Sequence, residues 1–157
     1  MTLHKTQRLK SRRTFMSDYP RHTQKEYTPS TPLNLNPIQF IAIKPELFDE
    51  VARETAECIA QYKKGNKSTQ LRKYYDELCM WDQKIKQNPD NYAEYLPLIK
   101  MLNAKVAYAK GRDLVDQNFV DLMRHCLNQV TIEKKTFETC KRFFEAFMGF
   151  YKMYQPK

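Results

Sequence analysis

From Pro45 to Tyr154 apolar residues return every three or four positions, and the 157-residue chain contains only three glycines. This pairing is the strongest constraint on the fold. Apolar residues at 3.6 spacing form one stripe along an α-helix. A β-rich chain needs glycine in its tight turns. The expected fold is all-α, a compact bundle of about five helices.

The first helix is expected from near Pro45 to just before Gly65, with Leu47, Val51, Thr55, Cys58, Ile59 and Tyr62 inward. Asp49, Glu50, Glu54 and Glu57 make its outer face acidic. The second spans roughly 69–87 and turns Leu71, Tyr74, Tyr75, Leu78 and Ile85 inward. QNPDN ends it, because proline bars the preceding residue from helical geometry. The third spans roughly 93–111, with Pro97 near its start and Gly111 as its C′ residue. The fourth spans roughly 114–130 and buries Phe119, Leu122, Met123, Cys126, Leu127 and Val130. The fifth spans roughly 132–154, with Thr131 as its cap. Its apolar residues cover an arc of about 160°. The surplus, mainly Phe143 and Phe150, suits either a second core layer or contact with another subunit.

Residues 1–37 are expected to form a disordered basic arm, and 38–157 the helical domain. The arm's YTPSTPLNLNP stretch cannot hold a helix. QFIAI, just beyond, suits docking in extended form on the core or on a neighbour. The chain carries 27 basic and 18 acidic residues, a net charge of +9. Such an excess points to a polyanion, most often nucleic acid. No apolar run is long enough to span a membrane, and no secretory signal opens the chain. The arm's Arg and Ser content weakly resembles an organelle transit peptide. Cys58, Cys79, Cys126 and Cys140 are too widely spaced for a zinc site and read as reduced apolar residues of a cytoplasmic protein.

Catalysis finds no support. His4 and His22 lie in the arm, and His125, opposite the fourth helix's apolar face, reads as solvated. No phosphate loop, nucleophile elbow or metalloprotease motif occurs. No cofactor or metal is implied, and the chain reads as a binding protein.

Two groups of cations are candidates for that binding. Lys67, Arg72 and Lys73 surround the start of the second helix, where Ser68 or Thr69 is expected to cap. Helix dipoles already make that end positive, so the extra charge suits an anion held there. A solvated helix start explains it equally well. On the third helix Met101, Lys105, Tyr108 and Arg112 lie on one line of about 16 Å. Cations with a ring between them suit a single nucleic-acid strand. An amphipathic boundary, with Lys and Arg stems lying over apolar surface, has the same spacing.

Three stretches carry a family resemblance: STQLRKYYDEL, LPLIKMLNAKVAYAKGRD and FETCKRFFEAFMGFYKMY. In order and interval they resemble the small helical subunit of type III-A (Csm-type) CRISPR effector ribonucleoprotein complexes. The resemblance covers roughly residues 66–155. It implies a noncatalytic protein whose copies stack in a short filament and contact target RNA without sequence preference. The implied partners are target RNA and the guide RNA–target duplex, the repeat-filament subunits, the large polymerase-like subunit and further copies of the chain. The resemblance singles out Arg72 and Arg112 as RNA contacts, followed by Lys105, Lys73, Lys67 and Lys100, with Tyr108 between cations. It also favours Phe143 and Phe150 as subunit contacts. The alternative is a helical scaffold that never touches RNA.

Overall fold

The computed structural model describes residues 31–155. The described residues hold six α-helices and no strand: α1 (Glu50–Ala60), α2 (Ser68–Gln87), α3 (Tyr92–Lys100), α4 (Leu102–Gly111), α5 (Gln117–Asn128) and α6 (Lys134–Tyr154). Short 3-10 turns at Pro45–Phe48 and Pro89–Asn91 precede α1 and α3. α6 is the central element and packs on both α1 and α2, while α4 packs on α5.

The all-α expectation holds, and α2 ends at Gln87 before the proline. The third expected helix is two. Pro97 lies inside α3 and has no N–H to donate to the Ala93 carbonyl. A tight turn follows at Met101, whose N–H donates to the Leu98 carbonyl at 3.2 Å. This break re-aims α4. The left-handed residue ending α4 is Asp113 (φ 57°), not Gly111. Leu114 N–H donates back to the Ala109 carbonyl and Asp113 N–H to that of Lys110, both at 3.0 Å. That pair of bonds is a Schellman closure. Thr131 does not cap α6. Thr136 instead accepts from Thr131 N–H at 2.8 Å and donates to the Glu133 carbonyl at 2.7 Å.

α1 buries Ala52, Thr55, Ala56, Ile59 and Ala60, while Val51 and Cys58 are only half-buried. Its small residues let α6 approach closely. In α6, Phe143, Phe144, Phe147 and Tyr151 are all buried. Successive rings pack at 5.4–6.0 Å between centroids, within the range of favourable aromatic pairs. Phe143 also meets Phe40 at 6.1 Å. Phe143 is thus covered within the chain, whose own leading segment is the second layer over it. Phe150 stays half-buried beside the core.

That leading segment corrects two expectations. Residues 31–37, placed with the arm, lie on the bundle. Ile38 and Phe40 dock, while Ile41 and Ile43 remain exposed. One stripe of α5 grips the segment's backbone. Asn118 accepts from Leu33 N–H at 3.2 Å and donates to the Thr31 carbonyl at 2.9 Å. Gln129 accepts from Phe40 N–H at 2.8 Å and donates to the Ile38 carbonyl at 2.9 Å. His125 Nε2 lies 2.8 Å from that same carbonyl. His125 is thus half-buried rather than solvated, since α5's outer edge is covered by chain. Residues 1–30, the rest of the expected arm, lie outside the described residues.

Candidate nucleic-acid interface

A fully buried asparagine aligns the two helices that matter. Asn66 follows α1 in left-handed geometry (φ 53°), which asparagine tolerates. Its Nδ2 donates to the Ile59 carbonyl at 3.1 Å, and its Oδ1 accepts from Asp116 N–H at 3.0 Å. Its own N–H donates to the Leu114 carbonyl at 2.9 Å, and its carbonyl accepts from the Tyr151 hydroxyl. One residue so joins α1, α6 and the α4–α5 connection. Gly65 beside it is packed tightly. A Cβ there would lie 2.6 Å from the Tyr62 ring and 3.0 Å from the Leu114 carbonyl oxygen. The start of α2 is thereby held against the end of α4.

Between them lies an open groove of about 410 Å³, with Lys73 and Gln70 on one wall and Lys105, Tyr108 and Arg112 on the other. Tyr108 is 69% exposed. The Arg112 guanidinium carbon sits 5.8 Å from its ring centroid, in cation–π range. Lys105 Nζ reaches both oxygens of Glu77 on α2, at 2.7 and 2.8 Å. Lys73, Lys105, Tyr108 and Arg112 are thus brought together from two helices. Met101, just before the α4 start, lines the same groove.

Lys67, Arg72 and Lys100 are placed differently. Arg72 lies on the opposite flank of α2, where the neighbouring Tyr75 feels Glu145 of α6. Its Nε is 3.6 Å from the Asp76 carboxylate, and its side chain is 68% exposed. The resemblance ranks Arg72 ahead of Lys73, whereas Lys73 is the one that lines the groove facing α4. Lys67 is exposed at the N-cap of α2, outside the groove lining, and neither Ser68 nor Thr69 caps. No acid occupies the first turn of α2, so its positive end is not neutralised locally.

Lys100 is turned away altogether. Its Nζ donates to the Leu127 carbonyl at the end of α5, a helix end that favours a cation. Burial there lowers its pKa, offset slightly by Cys140. Its ammonium is engaged between α3 and α5 and does not reach the groove lining. Sequence reading missed Gln70 and Glu77, which lie on the flank of α2 that only its neighbour identifies. It also missed Asn66, whose one signal was a Gly-Asn pair closing a helix.

Other chemistry is not assembled here. No group of His, Cys, Asp and Glu among the described residues has the arrangement of a metal site. Burial pushes the Cys126 thiol up and the Cys140 thiol to about 12, so both remain unreactive thiols. No described helix is long and apolar enough to cross a membrane.

Compared with known families, residues 42–157 match the family described as Csm2 Type III-A. The match takes in α1 as well as the stretches that carried the resemblance. No curated protein and no solved structure matches the chain.

Proposed function

Because the chain belongs to the Csm2 Type III-A family, the small subunits of type III-A CRISPR complexes, we propose that its α2–α4 groove holds the sugar-phosphate backbone of target RNA. One observation carries this reading. Lys73 and Arg112 converge from separate helices on one groove beside the exposed Tyr108 ring. The cations take phosphates, and the ring lies against a sugar or base face, which every nucleotide presents. Sequence is then read by pairing with the guide, as in other RNA-guided effectors. The protein itself catalyses nothing in this scheme. Its copies stack beside the guide-bearing subunits and the large polymerase-like subunit in a cytoplasmic complex.

The test is a salt titration of single-stranded RNA binding by the full chain. Log affinity should fall with log salt by about 0.7 per neutralised phosphate. K73Q and R112Q together should weaken binding of unrelated sequences alike and flatten that slope. R72Q, off the groove, should matter less. Binding that drops for one sequence only contradicts the proposal. Binding indifferent to K73Q and R112Q puts the RNA contact outside this groove, and no binding supports a scaffold without RNA contact. The engagement of Lys100 and Lys105 within the chain is what favours that second reading.

A further inference from the structure

The groove contains its own competitor for the ligand. Glu77 is the carboxylate in contact with its cations, and both its oxygens accept from Lys105 Nζ. The pair is unequally covered, with the Glu77 side chain 19% exposed and that of Lys105 51%. If Lys105 turned to a phosphate, it would leave a largely covered carboxylate without its partner, which is costly. A phosphate near Lys105 would also face that negative charge. Lys73 and Arg112 have no such carboxylate partner among the described ion pairs.

We infer that Glu77 is a built-in electrostatic guard that occupies Lys105 and holds down the groove's affinity for a phosphodiester backbone. This inference rests on the proposed RNA reading and adds a residue that sets its strength. The groove has three cations, and the guard leaves two of them for phosphate. A free subunit then grips RNA weakly. Full engagement requires a second source of positive charge or binding energy, such as an RNA already held at several neighbouring copies. The ligand class is a single-stranded polyanion with phosphates at successive nucleotides, since one isolated phosphate gains little from the third cation.

The experiment measures binding of the full chain to a labelled oligouridylate over a salt series, for the wild type, E77Q and controls. Freeing Lys105 adds one phosphate contact. The salt slope should steepen by about 0.7, which makes E77Q about eightfold tighter at 50 mM salt with the gain gone near 1 M. E57Q changes the net charge equally but lies exposed on α1, and should leave RNA affinity unchanged. E77Q/K105Q should lose the gain. E77A serves as a second variant, and thermal melts identify any variant that fails to fold. If RNA binding responds to K73Q and R112Q but E77Q behaves like E57Q, the guard is wrong and the groove stands. The guard is equally wrong if E77Q/K105Q keeps the full E77Q gain. If K73Q and R112Q have no effect, the groove reading and the guard fall together.

Discussion

Replacing Asn66 with alanine should lower stability by about 4 kcal/mol, and the groove should lose its shape as well. The Asp116 amide, 3.0 Å from Asn66 Oδ1, would be buried without that acceptor, at about 1–3 kcal/mol. The Ile59 carbonyl would lose its 3.1 Å bond to Nδ2 but keep a longer one, 3.4 Å, from Tyr62 N–H. Its loss is nearer about 1 kcal/mol. Alanine in left-handed geometry adds about 1–2 kcal/mol. Glycine at the same site avoids only that last term. The expected order of stability is therefore Asn, then Gly, then Ala, the reverse of the usual helix ranking of the last two. Urea unfolding of the three full-length chains measures it. A loss of about 4 kcal/mol corresponds to a fall in Tm of about 8–16 °C for a domain of this size. If alanine matches glycine, the left-handed strain is not real. If both lose under about 1 kcal/mol, the buried bonds do not hold the connection. RNA binding by a folded Asn66 variant should also weaken, because α2 and α4 are aligned through this residue.

Two glycines sort by what surrounds them. Gly65→Ala should destabilise by about 1–3 kcal/mol, since the Leu114 and Asp113 carbonyl oxygens it would approach, at 3.0 and 3.1 Å, are backbone. Gly149→Ala, inside α6 with nothing within 4 Å, should stabilise by about 1 kcal/mol. Thermal melts compare the two, and stabilisation by Gly65→Ala contradicts the packing described. A pH series tests the buried thiols. Cys140 is raised from its ordinary value of 9.0 to about 12 by burial. The unfolded chain then releases this proton first. Its contribution to stability is complete below about pH 9 and is lost as pH rises towards 12, at about 1.4 kcal/mol per pH unit. Lys100, lowered by burial, acts in the opposite direction over the window below its ordinary value. Cys140→Ala should flatten the alkaline decline, and an unchanged decline would assign it to other groups.

How far the bundle was legible depends on whether one helix's own neighbours along the chain decide the question. The end of α2, the buried set of α5 and the aromatic stripe of α6 all follow from spacing at 3.6 residues per turn and from proline. Pro97 was visible too. How the helix divides around it was not, since a proline is accommodated in several ways near a helix start and packing selects one. Gly111 is the expected left-handed residue because glycine adopts that geometry most readily. Asp113 took the role because the Schellman bonds close two residues later. The ordering of residues 31–40 depends on Asn118 and Gln129, over eighty positions away in sequence, a separation that no local pattern reports.

The candidate site divides the same way. Composition and helical period sufficed for an all-α chain with surplus positive charge, and for Lys105, Tyr108 and Arg112 lying along one line. Those are properties of a single segment and its dihedral preferences. The choice of Lys73 over Arg72, the engagement of Lys100 by α5 and the pairing of Lys105 with Glu77 came from the packed molecule. Each depends on which flank of a helix meets a neighbour. A helical wheel gives the angle of a side chain about its own axis. It is silent on what stands opposite, and there the short range of hydrogen bonds and ion pairs settles which charge stays free.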